Sequence, residues 1–212
     1  MHPPGEEIEL ADAGGAEQPT GIYERSPADG SLQQGDVLSV LHHQFLNLEG
    51  LQAGQLVVDE VERAYVIVVS QSCDLEWDYE ARRLAGEPDK FLPSIMLCDA
   101  LTAEEVRSRK SLKGEVINNS KLWDPLRKNK DERFHFFEAV PRGEDADGVG
   151  IPELVVDFKR YFSMPTTELY WKLAQDGTKR RTRLKVPYLE HFASRFFQYQ
   201  SRVATPRQHL SV

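Results

Sequence analysis

The stretch Ala64-Tyr65-Val66-Ile67-Val68-Val69-Ser70-Gln71-Ser72-Cys73-Asp74 decides the fold. Its first six residues are apolar or aromatic at both parities and rich in β-branched side chains. A strand of that pattern buries both faces, because alternate side chains point to opposite sides of a sheet. The polar run that follows cannot continue into a core. The strand is therefore expected to end in an elbow that emerges at a surface or cleft.

Shorter signals flank this strand. Gln34-Gly35-Asp36 reads as a turn that opens the folded part and leads into a strand over Val37 to Leu41. Leu48 to Gly54 reads as loop, and Gln55 to Asp59 as a second strand. Downstream, Ser94 to Cys98, Phe134 to Val140 and Glu153 to Phe158 read as strands, the last continued by Lys159 to Ser163. Thr102-Ala103-Glu104-Glu105 has the form of a capping box and predicts a helix from Ala103. Asn118 to Asp131 reads as a polar surface loop or short helix, and Arg142 to Gly150 as an acidic loop. Glu168 to Ala174 reads as a strand that turns at Gln175-Asp176-Gly177 and pairs with Thr182 to Val186. A final helix starts at Pro187, with Leu189, Phe192, Phe196, Tyr199 and Val203 on one stripe and Pro206 as its stop.

Residues 1–31 carry seven acids and one Arg with few large apolar groups, and read as an acidic flexible tail. Residues 32–212 then form a single globular domain, with a barrel core over 34–174 and a C-terminal hairpin and helix over 175–205. The expected class is mostly β (α+β): a small curled barrel with helical insertions and a C-terminal amphipathic helix.

Forty per cent of the 212 residues are hydrophobic, enough for a sizeable core, yet no window approaches a membrane span. The first residues lack the basic flank and apolar segment of a signal peptide. Two cysteines, Cys73 and Cys98, make no disulfide framework, which fits reduced thiols and a cytoplasmic location. The net charge of −8 is unevenly spread. Residues 158–212 hold 11 Lys or Arg against 3 Asp or Glu, and the rest of the chain is strongly acidic. The basic third can meet RNA or an acidic protein, or pair with the chain's own acids. No Gly-rich phosphate loop, nucleophile elbow, zinc-protease helix or calcium loop is present, which argues against the common nucleotide-dependent and hydrolase classes.

The Gly35-Asp36-Val37-Leu38-Ser39-Val40 opening, followed by Val66-Ile67-Val68-Val69-Ser70, resembles the start of the MazF/PemK-like growth-inhibitor toxins. Glu153-Leu154-Val155-Val156-Asp157-Phe158-Lys159-Arg160 is similar to a later strand of that family. The resemblance covers about 35 residues. It implies an SH3-like barrel, a homodimer and metal-independent cleavage of single-stranded RNA. The family's catalytic Arg corresponds by position to Arg63, although the Pro that usually follows it is replaced by Ala64. The family's later Thr or Ser has no clear counterpart, Ser94 being the nearest.

Three groups are therefore candidates. Arg63, Cys73 and Asp74 form the candidate catalytic set. Cys73 is a nucleophile or ligand if a base reaches it, and His42, His43, His135 and His191 are the imidazoles available; otherwise it is a turn residue. Lys159, Arg160, Lys179, Arg180, Arg181 and Arg183 are the candidate nucleic-acid contacts, with Tyr170 and Trp171 as stacking groups. A zinc site from Cys73, Cys98, His135 and a carboxylate lacks the usual close ligand pairs, so neither metal nor cofactor is expected. The functional expectation is a nucleic-acid- or partner-binding component of a bacterial toxin–antitoxin or defence system. Its partner would be single-stranded RNA or an acidic protein. A metal-independent endoribonuclease is the alternative.

Overall fold

Strand propensity and burial on both faces organise the chain around one sheet, in a computed structural model that describes residues 21–84, 88–108, 120–175 and 177–202. In chain order the elements are β1 (Tyr23–Arg25), β2 (Asp36–Leu46), α1 (Leu48–Gln52), β3 (Val58–Val68), α2 (Ser72–Arg83), β4 (Ser94–Thr102), α3 (Ala103–Ser108), α4 (Ser120–Arg127), β5 (Phe134–Phe137), β6 (Leu154–Pro165), α5 (Thr166–Ala174), β7 (Lys179–Leu184) and α6 (Tyr188–Gln200). The seven strands lie in the order β1-β7-β2-β3-β4-β6-β5, every neighbouring pair antiparallel. The protein is thus α+β, as its alternation implied.

The deciding strand behaves as its composition requires. Ile67 and Val69 enter one core cluster with Phe158, Phe192 and Phe196, and Val66 and Val68 enter another with Leu38, Leu41 and Leu169. The first cluster is covered by α6. Its expected stripe packs there, with Phe192 and Phe196 buried and Leu189 and Tyr199 against them; Val203 and Pro206 lie outside the described residues. Each buried Phe contributes roughly 1.5–3 kcal/mol through removal from water. A third cluster seats Trp123 and Leu126 of α4 and Val106 of α3 on Phe136 and Val155. The capping box at α3 is formed. Thr102 donates its N–H and hydroxyl to the Glu105 carboxylate, each at 2.8 Å, and the Glu105 N–H returns to Thr102 Oγ1 at 3.2 Å.

The sheet is not closed by strand pairing. No ladder joins its edge strands β1 and β5 among the described residues. The segment after β5 spans the gap instead. Tyr23 donates its hydroxyl to the Glu138 carbonyl at 2.7 Å, Arg25 Nε donates to Gly143 O at 2.8 Å, and Ala146 N–H donates to Arg181 O at 2.7 Å. Inside this bridge Arg181 meets Asp145 bidentately, Nε–Oδ1 at 2.8 Å and Nη2–Oδ2 at 2.7 Å.

Several local expectations need correction. Leu48 to Gly54 contains helix α1, whose N-cap Asn47 accepts the Gly50 N–H at 2.7 Å. The two strands expected at 55–59 and 64–69 are one, β3, because Arg63 and Glu62 sit mid-strand on an unflanked ribbon where charge is tolerated. Residues 168–174 form α5, not a strand. Leu169 and Leu173 suit a helical step as well as an alternating one, and packing on the second cluster selects the helix. β7 consequently pairs with β1 and β2, so the C-terminal hairpin is not formed. Residues 21–31 contribute β1, and Tyr23 is 1% exposed in the first cluster, so the expected tail is structured from residue 21; residues 1–20 lie outside the described residues.

Val40 carries a φ of 56°, a conformation that crowds a β-branched side chain. The β2–β3 register continues through it without slipping. The left-handed residue instead reverses which way the side chains point, so Leu38 and Leu41, three residues apart, enter the same cluster.

Candidate functional site

Arg63 projects from β3 just beyond the last β3–β4 pair, Tyr65 opposite Ala100. Its guanidinium is fixed from three sides. Nη1 meets Asp99 Oδ2 at 3.1 Å, the Cζ lies 4.2 Å from the centre of the Phe162 ring, and Nη2 approaches His43 Nδ1 at 3.5 Å. The Nε has no partner among the described residues. His43 stacks on Phe162 with centroids 4.8 Å apart and planes 19° from parallel. Arg63 and His43 therefore share one face of that ring, as their own separation requires. Burial first, and then the Arg63 cation, hold the His43 imidazole below its ordinary pKa, with Glu168 acting in the opposite sense. A neutral imidazole beside a permanently charged, oriented guanidinium can stabilise a phosphate and accept a proton.

A wide bulge in β6 brings a second cation to this place. Cys98 pairs with Tyr161 but Ala100 pairs with Val156, so the four residues Asp157 to Arg160 face Asp99 alone. Arg160 reaches Asp99 at 3.9 Å while half exposed, and Lys159 is exposed with no ion-pair partner among the described residues. The bulge is anchored by Asp157, whose carboxylate takes Arg133 Nε at 2.7 Å and Nη2 at 2.5 Å.

The other expected site residues are placed differently. Cys73 and Asp74 occupy the first turn of α2, with Cys73 exposed. The elbow is held by Ser70 Oγ, which accepts the Met96 N–H at 2.8 Å, and by Ser72 Oγ, which accepts the Gln34 N–H at 3.1 Å. Five strand residues, about 16 Å at the usual rise, separate Arg63 from the end of β3 that feeds the elbow. The structure therefore does not bring Cys73 and Asp74 together with Arg63. Among the described residues the sulfur of Cys73 has Gln71 at 3.7 Å and Asp74 at 3.8 Å as polar neighbours, and no imidazole bonds to it. Among the described residues no three His, Cys, Asp or Glu gather as a metal site, so Cys73, Cys98 and His135 do not form the zinc centre considered above.

The β7 run meets the chain's own acids. Arg180 Nη2 pairs with Asp36 Oδ2 at 3.0 Å and Arg183 Nε lies 3.4 Å from Asp36 Oδ1. Arg181 is held by Asp145, and Lys179 by Asp147 at 3.2 Å. A groove lined by Arg25, Asp147, Thr178, Lys179 and Arg180 runs past them, its β7 cations already paired. The six expected basic contacts thus divide. Arg160 keeps accessible charge near Arg63 through their shared Asp99, and Lys159 is exposed, whereas Lys179, Arg180, Arg181 and Arg183 are engaged within the fold. Of the stacking candidates, Trp171 is exposed and Tyr170 half-buried against the second cluster.

Sequence reasoning missed Asp99, Phe162 and the pairing of His43 with Arg63. Adjacent strand residues face opposite ways, and while His43 lies on Phe162 its neighbour His42 turns to Glu60 at 2.9 Å. No family model matches the chain, and no curated protein or solved structure matches it either.

Proposed function

We propose that the chain is a divergent MazF/PemK-like protein, its sheet an open variant of the SH3-like barrel. In this reading it binds single-stranded RNA on the face of Arg63, Lys159 and Arg160, as the binding component of a toxin–antitoxin or defence system. One observation carries this: Arg63 and Arg160 converge on the single carboxylate of Asp99, leaving a local cationic surplus on an acidic chain, and Lys159, next to Arg160 in the chain, is exposed. Phosphates are drawn to such a surplus, and Arg63 is already oriented by Phe162, so little ordering entropy opposes the contact. The bridge from β5 to β1 supports the barrel assignment, because it occupies the place where a closing ladder would lie.

The test is binding of a labelled, unstructured single-stranded RNA over a salt series. Arg63→Ala and Arg160→Ala should each weaken binding and lower the log–log salt slope by about 0.7, the value for one phosphate contact on a single strand. Unchanged affinity in both variants would exclude this face.

Cleavage without a metal is favoured by one further observation, the His43 imidazole at 3.5 Å from Arg63, its pKa lowered by burial and then by the Arg63 charge. In that role the 2′-oxygen attacks phosphorus as its proton passes to the imidazole, Arg63 stabilises the charged phosphorane, and the bond to the 5′-oxygen breaks as the imidazolium returns the proton to that leaving oxygen. Cuts made in the presence of chelator and lost in both Arg63→Ala and His43→Gln would establish it. RNA that is bound but left intact would remove cleavage and leave the binding role standing.

A further inference from the structure

β2 and β3 outrun their neighbours. β7 accompanies β2 only as far as Ser39, and β4 accompanies β3 only from Tyr65. Beyond those points Leu41 to Leu46 and Val58 to Arg63 pair solely with each other, and helix α1 sits at the far end. A two-stranded ribbon is marginal by itself in water, yet this one is tied together at its tip. Asn47 N–H donates to Val57 O at 2.9 Å, Asn47 Nδ2 donates to Asp59 Oδ2 at 2.8 Å, and Gln55 N–H donates to Gly50 O at 2.9 Å. Gly50 is required there, since a Cβ would stand 2.9 Å from Val57 Cγ2.

What this tip presents is unusual for a free surface. Phe45, Leu46, Leu48, Leu51, Leu56 and Val58 are all at least 45% exposed, and α1 buries none of its residues. Leu46 and Val58 lie directly opposite each other in the ladder, so their exposed side chains share one face of the ribbon next to α1. The charge is as one-sided as the polarity. From His42 to Glu62 there are four acids, Glu49, Asp59, Glu60 and Glu62, and neither Lys nor Arg.

We infer that this arm is a docking site for a basic amphipathic helix of another protein. The apolar side chains supply the contact area and the acids select for Lys and Arg on its flanks. A second copy of this chain would set four acids against four acids, and an RNA or an anionic bilayer would meet the same repulsion. A helix suits the arm better than an added strand, because the apolar groups are side chains clustered at the tip, whereas strand addition uses the ribbon's backbone edges.

Fluorescence anisotropy with the full chain tests this, using three labelled 18-residue probes: a Lys/Leu peptide with Leu on one helical face, a scramble of the same composition, and its Glu/Leu counterpart. The Lys/Leu helix is expected to bind at least tenfold tighter than either other peptide. Leu48→Ser with Leu56→Ser should weaken it tenfold or more. Glu49→Lys with Glu62→Lys leaves two Lys against Asp59 and Glu60, and should abolish the preference for the Lys/Leu over the Glu/Leu peptide. Both double variants should keep the parent melting temperature, because these side chains lie outside the core. Equal binding of all three peptides overturns the inference. So does self-association in sedimentation that Leu48→Ser with Leu56→Ser abolishes, or binding of the arm to phosphatidylserine vesicles.

Discussion

Replacing Arg181 by Met should destabilise the protein by about 3–5 kcal/mol at neutral pH, the cost of leaving a buried charge without its partner. The Asp145 side chain has no exposure. Its carboxylate takes both nitrogens of the Arg181 fork together with N–H groups of Asp147 at 3.3 Å, Val149 at 3.1 Å and Gly150 at 2.9 Å. Burial alone raises the pKa of Asp145. Pairing with Arg181, joined by the Gly150 and Asp147 N–H groups, outweighs it and holds the carboxyl below its usual value. With a depressed folded pKa, the pair's contribution is present above the unfolded carboxylate pKa and is lost as the pH falls through the folded one. Removing Arg181 reverses that sign. Burial then dominates, the folded pKa rises above the unfolded one, and protonation relieves the site as the pH drops. The deficit of Arg181→Met should therefore be largest near pH 7 and shrink by pH 4.5. In a chain of this size the neutral-pH loss is a fall in melting temperature of about 10 °C. Urea unfolding followed by the fluorescence of Trp77, Trp123 and Trp171 at both pH values measures it. A loss under about 1 kcal/mol at pH 7, or a deficit that grows in acid, would refute the assignment of this pair as the clasp between the post-β5 segment and β7.

Three other outcomes are expected. His135 is buried among Phe137, Phe158 and Phe192, and burial, then the Arg195 and His191 charges, hold its pKa well below the ordinary imidazole value. The unfolded chain takes up a proton that the folded one refuses, so stability should fall by about 1.4 kcal/mol from pH 7.5 to 5.5; an acid limb of the same steepness in His135→Leu would contradict this. Val40→Gly removes a left-handed β-branched residue at a strain of about 1–2 kcal/mol against a glycine entropy cost of about 0.5–1 kcal/mol. A small rise in the urea midpoint should follow, and a clear fall would show that Val40 is not strained. Cys73 is exposed while Cys98 is fully buried, its thiol pKa pushed up by burial. One thiol should then react with an aromatic disulfide reagent in the native protein and a second only on unfolding; two fast thiols would be inconsistent with the core.

What was legible in the chain follows the range of the interaction that carries it. The doubly buried strand at Ala64 to Val69, the Thr102 to Glu105 capping box and the Phe192–Phe196 stripe are set by neighbours within a few residues, and each stands where periodicity or capping chemistry puts it. The Lys179 to Arg183 run reads as a set of nucleic-acid contacts because nothing local shows that Asp36 and Asp145, 144 and 36 residues away, neutralise it. Arg63 was visible through a resemblance. Phe162 and Asp99, which orient it, come from strands β6 and β4 and leave no mark near residue 63. The same distinction explains why the arm was passed over. Its strands were seen as two fragments broken by loop, since its apolar residues follow no single period, and a segment with no core of its own has none to follow. Its signal is compositional: a run with four acids, no Lys or Arg, and large apolar side chains throughout. In a segment that folds against its own domain, such apolar groups would be buried. Here they are displayed on a hydrogen-bonded tip, and that display is what the proposed docking site rests on.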